Sequence, residues 1–377
     1  MTMRTTQLPL LLVPAVVLAC NGKDSADAAG DVAVTALGSH TTDTGGLTGP
    51  IDIVVPDDGT SNMIRCGSWG FNTLGTAWEI RDPDGGLYYA NEINENYAPK
   101  PMRSGAMDDT LPVLFPVSPQ ADLKPGTYTL QVWVANGGSP VTFDCELVSR
   151  SGEVPSDAIV DLHFVFVGAT GLDRATAKED ATFQEVIGNV DSIWSGAGLS
   201  VGAVTYADFS GNVDRYSVID YDGSEAGELY QTISGDPGRM LTVFVVDSIE
   251  SSDGSEILGA AAGPPGTATL GGNSKAGMMV AAVDYAEDPM YTAQIIAHEG
   301  AHFLGLNHTT EKDGSQTDPL SDTPECSSDS NGDGVLAPSE CGGKDAGNLM
   351  FWAPNAGSST DLTANQGWVL RRNPAVK

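Results

Sequence analysis

Alternation of apolar and polar residues dominates the first half of this chain, and runs with helical spacing appear only in the second. Ile51-Asp52-Ile53-Val54-Val55, Ala77-Trp78-Glu79-Ile80 and Thr127-Tyr128-Thr129-Leu130-Gln131-Val132-Trp133-Val134 read as strands. Turn signals such as Asp82-Pro83-Asp84-Gly85-Gly86 and Lys124-Pro125-Gly126 separate them, so residues 51–152 predict an all-β sandwich. From 157 onward strands and helices alternate. Leu162 to Val167 predicts a buried strand over 161–167. Phe183, Val186, Ile187, Val190, Ile193 and Trp194 then recur at a spacing that gives one helix face over roughly 173–195. Strands follow near 199–206, 240–247 and 277–284, with a helical segment near 223–234. Asp288-Pro289 offers an N-cap and a first-turn proline for a helix over 289–304, and Gly305 closes it. A last helix is expected at 362–372. The fold class expected for 157–377 is therefore an α+β domain, behind a β-sandwich.

The N-terminus adds no domain. Arg4 precedes an apolar run from Leu8 to Ala19, the length of a signal-peptide core and too short to span a bilayer. Its end, Val17-Leu18-Ala19-Cys20, resembles the lipobox of bacterial lipoproteins. That resemblance implies a signal peptide at 1–19 and a lipidated Cys20 anchoring the chain in the cell envelope, with Asn21 leaning toward the outer membrane. The competing reading is plain secretion. Residues 20–50 are rich in Gly, Ala, Ser, Thr and Asp without an apolar period, which predicts a flexible tether.

Composition narrows the partners. The 377 residues carry 50 acidic and 18 basic side chains, a formal charge of −32. Such a field repels phosphate backbones, so nucleic acid is excluded as an expected partner. With Cys20 set aside, Cys66, Cys145, Cys326 and Cys341 remain. An even number in an exported chain predicts two disulfides. Three pairings are open, and proximity within domains favours Cys66–Cys145 and Cys326–Cys341. Arg65-Cys66-Gly67 also resembles the core of a cysteine switch, in which a thiolate fills an open metal position. That alternative would make the sandwich a propeptide.

The chemistry is concentrated in His298-Glu299-Gly300-Ala301-His302-Phe303-Leu304-Gly305-Leu306-Asn307-His308. One helical turn puts His298 and His302 on the same face. Gly305 can take a left-handed conformation that turns the chain and returns His308 to the same ion. Three imidazoles suit zinc, with the fourth position left to water. Glu299, beside the first ligand, stands where that water needs a general base. Of the five histidines, His163 is expected as a buried strand residue and His40 as part of the solvated tether.

This pattern resembles the metzincin clan of zinc endopeptidases. The resemblance implies a twisted sheet with long helices over 157–377. Asn348-Leu349-Met350-Phe351-Trp352 resembles the Met-turn, which places Met350 beneath the zinc as a packing residue. With Trp352 two residues on, the extra tyrosine ligand of some members is absent. Asp318-Pro319-Leu320-Ser321-Asp322-Thr323-Pro324 and Thr309 resemble the pappalysin family. Leu258-Gly259-Ala260-Ala261 falls where metzincins place the sheet edge that pairs with an extended substrate. The sandwich phrase Leu123 to Leu130 resembles jelly-roll modules of secreted bacterial peptidases.

Asp329-Ser330-Asn331-Gly332-Asp333-Gly334-Val335-Leu336-Ala337-Pro338-Ser339-Glu340 meets every defined position of the EF-hand calcium loop. Asp329, Asn331, Asp333, the Val335 carbonyl and Glu340 are the expected ligands of a structural calcium ion. Pro338 is unusual so near the end of such a loop, and no helix pair is evident around it. The function expected from the whole is zinc-dependent hydrolysis of extracellular or cell-surface proteins and peptides by a monomer. The reading from another class is a surface-anchored binding or adhesion protein with an inactive peptidase fold.

Overall fold

Eight strands follow the alternation of the first half: β1 (Val32–Thr41), β2 (Ile51–Val55), β3 (Gly59–Gly67), β4 (Gly75–Arg81), β5 (Leu87–Ala90), β6 (Thr110–Phe115), β7 (Gly126–Val134) and β8 (Thr142–Ser151). The computed structural model describes residues 32–377 except 68, 70–72, 92–109, 122, 169–170, 234–237, 255, 268, 283–284 and 355. The apolar N-terminal run, Cys20 and the first part of the expected tether lie outside the described residues. The strands form two antiparallel sheets, ordered β1-β8-β3-β6 and β2-β7-β4-β5. Period-two patterning decides the faces. Ile51, Ile53 and Val55 point inward while Asp52 and Val54 face solvent, and Tyr128, Leu130, Val132 and Val134 of β7 are all buried.

Two expectations are corrected here. Residues 32–41 are not tether: they form β1, paired with β8 from Val32↔Arg150 to Thr41↔Thr142. Most of β1 is exposed, so it has no apolar period to detect. Ladder hydrogen bonds to the β8 edge hold it, and it carries His40 as a strand residue. The cysteine switch is also overturned. Cys66 lies opposite Cys145 in the β3–β8 register, is fully buried, and is joined to it by a disulfide.

The second half contains β9 (Ala158–Val167), α1 (Ala181–Ser195), β10 (Leu199–Asp208), α2 (Val213–Tyr216), β11 (Val218–Asp220), α3 (Glu225–Gln231) and β12 (Met240–Val246). After these come β13 (Ser248–Glu250), β14 (Glu256–Ile257), β15 (Gly259–Ala261), β16 (Met278–Ala281), α4 (Pro289–Phe303), α5 (Pro338–Asp345) and α6 (Ala364–Leu370). The main sheet runs β10-β9-β12-β16-β15, with β15 the antiparallel edge on an otherwise parallel sheet. A small sheet, β11-β13-β14, accompanies it. The architecture is mixed α+β, mostly sheet.

Helix α1 begins later than its apolar spacing predicts. Asp180 caps it, accepting from the Phe183 N–H at 2.8 Å. Upstream, Asp173 Oδ1 takes the N–H groups of Ala175 and Thr176 instead, closing a turn. His163 is half-buried, not core. Alternation in β9 puts Leu162, Phe164 and Phe166 toward α1, so His163 projects from the opposite face. There it meets Thr205 Oγ1 at 2.8 Å and lines a cavity of about 390 Å³ with Val165, Thr242 and Phe244. Burial lowers its pKa.

Helices α1 and α4 cover one sheet face together. Trp194 of α1 is fully buried and donates Nε1–H to the Ala297 carbonyl of α4 at 3.3 Å. The glycine at 300 makes this approach possible, since a Cβ there would lie 2.7 Å from Trp194 Cζ2. The sandwich joins the same hydrophobic core. Leu114 of β6 fills the space beside Gly305, where a Cβ would sit 2.5 Å from Leu114 Cδ2. Arg150 of β8, fully buried, donates Nη1–H to the carbonyls of Arg371 at 2.6 Å and Asn373 at 3.3 Å.

Candidate metal centre

Asp288 accepts from the Tyr291 N–H at 2.9 Å and Pro289 occupies the first turn, so α4 starts where the sequence places it. Its last turns carry His298 and His302. The chain then reverses at Gly305, whose φ of 113° is open to glycine and strained for other residues. Gly305 N–H bonds to the His302 carbonyl and Leu306 N–H to the Ala301 carbonyl, both at 2.9 Å. The reversal delivers His308 to the other two. Ligand-capable atoms of the three histidines all lie within 4.8 Å of one another.

Each imidazole is oriented from behind. His298 Nδ1 lies 2.6 Å from the Leu349 carbonyl, His302 Nδ1 2.7 Å from the Leu306 carbonyl, and His308 Nδ1 2.8 Å from Glu311 Oε2. A carbonyl oxygen only accepts, so Nδ1 of His298 and His302 carries the hydrogen and Nε2 keeps a lone pair. Burial holds His298 well below the ordinary histidine range, at about 3, and the neighbouring His308 adds to this. His298 is therefore neutral near pH 7. Three converging imidazoles, two of them buried, with outer nitrogens engaged, are the donor set of a zinc site. The residues present fit that ion.

The Leu349 carbonyl is set by a turn. Asn348 Oδ1 accepts from Met350 N–H at 2.9 Å, Leu349 N–H reaches the Asp361 carbonyl at 2.7 Å, and Asn348 Nδ2 donates to Gln366 Oε1 at 2.9 Å. Met350 is fully buried here, and its carbonyl accepts from Thr309 N–H at 2.8 Å. Asp345 receives the hydroxyls of Thr309 and Thr310 at 2.6 and 3.0 Å, which fixes the chain just beyond His308.

Glu299 faces a cleft of about 530 Å³ shared by the three histidines, the edge strand β15, Tyr221 and Trp352. Burial pushes its carboxyl up to about 8, opposed by a hydrogen bond from the Ala261 N–H. A dication on the imidazoles would lower it again by direct attraction. The edge strand lies close over α4: a Cβ at Gly259 would be 2.7 Å from both Glu299 Cγ and Ile295 Cγ2.

Sequence reasoning missed Glu311. An acid three residues past the third histidine was the available signal, but only the turn shows it aimed at His308. Asp318 was singled out, and the structure buries it. Oδ1 accepts from Leu320 N–H at 3.0 Å and Thr323 Oγ1–H at 2.6 Å, and burial raises the carboxyl to about 7.

The acidic loop at 329–340 is largely exposed, and its side chains bond mainly to its own backbone; among the described residues its carboxylates do not converge as the three histidines do. Asp329 accepts from Gly332 and Gly334 N–H at 2.6 and 2.9 Å, and Asn331 Oδ1 from Asp333 N–H at 2.8 Å. Asp333 Oδ1 accepts from Val335 N–H at 2.8 Å. Glu340 folds back onto Ser330 and Asn331 N–H at 2.9 and 3.1 Å. Pro338 is accommodated because it opens α5. Cys326 and Cys341 close the loop with the second disulfide, so the nearby grouping of these sulfurs with Asp345 offers no thiolate.

No protein-family model and no curated protein matches this chain. Among solved structures it is similar to metalloproteinase-II from Bacteroides fragilis, at 14% identity and a TM-score of 0.28, over 47% of this chain and 59% of that one. The chain thus spans about three-fifths of that protein's length. It is also similar to a structure of infectious bursal disease virus Gx strain, at 12% identity and a TM-score of 0.21, over 39% of this chain and 37% of that one. The VP2 subviral particle of the same virus matches at 14% identity and a TM-score of 0.21, over 37% and 38%. Scores this low carry no argument about fold or activity, and the functional reading rests on the site.

Proposed function

We propose that this chain is a zinc-dependent endopeptidase acting on proteins or peptides outside the cytoplasm, held at the cell envelope by a lipidated Cys20. One observation carries the reading: three imidazoles converge within 4.8 Å, each backed at Nδ1, beside a carboxyl set into an open cleft. His298, His302 and His308 would hold the ion through Nε2. Zinc, when bound, supplies Lewis acidity toward the scissile carbonyl and acidifies a water. Glu299 takes the proton from the attacking water and delivers it to the leaving amine nitrogen. The outer edge of β15, whose Ala261 N–H is given to Glu299, would offer its remaining main-chain groups to an extended substrate and align the scissile bond over Glu299. If the loop at 329–340 binds calcium, Asp329, Asn331, Asp333, Glu340 and the Val335 carbonyl would hold it in a structural role.

The test is cleavage of an unstructured protein by the full chain with zinc and calcium, beside Glu299→Gln. Wild-type cleavage, with zinc retained but turnover lost by about a hundredfold or more in the variant, is expected from loss of a general base. Absence of bound zinc in the wild type, or equal cleavage by both proteins, overturns the proposal.

A further inference from the structure

The three candidate ligands are not backed alike. His298 and His302 face backbone carbonyls, neutral acceptors fixed by a helix terminus and a turn. His308 alone faces a carboxylate, Glu311 Oε2 at 2.8 Å. It is also the ligand farthest from the rigid helix, six residues past His302 and beyond the reversal at Gly305. Its side chain is 24% exposed, whereas His298 and His302 are buried.

The carboxylate does not depend on a mobile loop for its position. Glu311 N–H bonds to the Gln316 carbonyl at 3.0 Å, and its own carbonyl accepts from Gly314 N–H at 2.8 Å. The next residue is tied to the disulfide-closed loop: the Lys312 carbonyl accepts from Leu336 N–H at 2.8 Å. Leu336 is 2% exposed, and its carbonyl takes the Trp352 Nε1–H at 2.7 Å. Lys312 Nζ lies 5.6 Å from the Trp352 ring centroid. The Glu311 backbone is thereby held between the histidine motif and the stapled loop, from where its Oε2 reaches His308.

We infer that Glu311 is a positioning residue for the metal, fixing the ring and tautomer of His308 and raising the basicity of its Nε2. This rests on the zinc reading above. A carboxylate behind an imidazole ligand both holds the N–H and enriches the ring in electrons, and loss of such a partner costs about 10–100-fold in metal affinity. The bland account, a partly exposed ion pair of small consequence, predicts no change in affinity.

The experiment is zinc affinity of the full chain, measured by competition with a chromophoric chelator, for wild type, Glu311→Gln and Glu311→Ala. Expected is a loss of about 10–100-fold in Glu311→Ala. A smaller loss is expected in Glu311→Gln, whose amide oxygen still accepts from Nδ1 without the charge. Far-UV circular dichroism and the melting temperature of the metal-free proteins serve as the structural control and are expected to be unchanged. Partial rescue by Gln with unaltered metal-free stability is a signature that simple destabilisation does not give. Equal zinc affinity in wild type and Glu311→Ala overturns the inference and leaves the peptidase reading standing. A wild type that binds no zinc overturns that reading first.

Discussion

Replacing Gly300 by alanine tests whether the zinc helix is held by α1 as closely as described. In a free helix the change is favourable by about 1 kcal/mol, since glycine is the poorer helix former. Here the added Cβ would lie 2.7 Å from Trp194 Cζ2, 3.3 Å from Cη2 and 3.2 Å from Leu241 Cδ2. Trp194 is fully buried and anchored to Ala297, so it cannot swing away, and overpacking of this kind costs about 1–3 kcal/mol. Gly300→Ala is therefore expected to lower stability by up to about 2 kcal/mol net of the propensity gain. Trp194→Phe removes the two indole atoms in conflict and leaves the looser contact with Leu241 Cδ2. In that background the same alanine should stabilise by up to about 1 kcal/mol. The double-mutant cycle by equilibrium urea denaturation reads the difference directly. Identical effects of Gly300→Ala in both backgrounds would refute the close-contact account of the α1–α4 pair.

Three further outcomes follow from the structure. Asp318 has a folded-state pKa of about 7 against 3.8 for the free side chain, so the unfolded chain releases this proton first as pH rises. Stability from this group falls between pH 4 and 7, by about 4 kcal/mol in all. In chelator, Asp318→Asn should gain on wild type across that window, and a stability difference independent of pH would contradict the assignment. Replacing Cys326 and Cys341 by serine opens a crosslink of sequence separation 15, expected to cost about 3 kcal/mol in the chain-entropy model. An unchanged denaturation midpoint under non-reducing conditions would show that this crosslink does not stabilise the fold. Asp329→Ala should abolish any rise in melting temperature on adding calcium, and a rise as large as that of wild type would remove the loop as the calcium site.

The three-histidine cluster was legible because its geometry is local: helix spacing joins two histidines and one glycine returns the third. The strands of the sandwich core were legible where Ile51–Val55 and Tyr128–Val134 alternate. β1 was hidden because its ladder, not apolar burial, holds it to β8. The α1 boundary was hidden because apolar periodicity marks a face and not an end, and Asp180 decides the end. Glu311 and Leu349 were hidden for another reason. Their roles depend on where a turn points one acceptor atom, the Glu311 carboxylate or the Leu349 carbonyl, which residue identity alone does not give.

The contact between Leu114 and Gly305 has a consequence for how damage to this protein would read out. The turn that aims the third histidine is cast against a side chain almost two hundred residues earlier in the chain. The sandwich thus forms one wall of the turn that brings His308 to the other two histidines. A lesion in β6 that leaves the sandwich folded would therefore be felt at the histidine cluster, and residues 157–377 expressed without the sandwich would lack the wall that the Gly305 turn presses on.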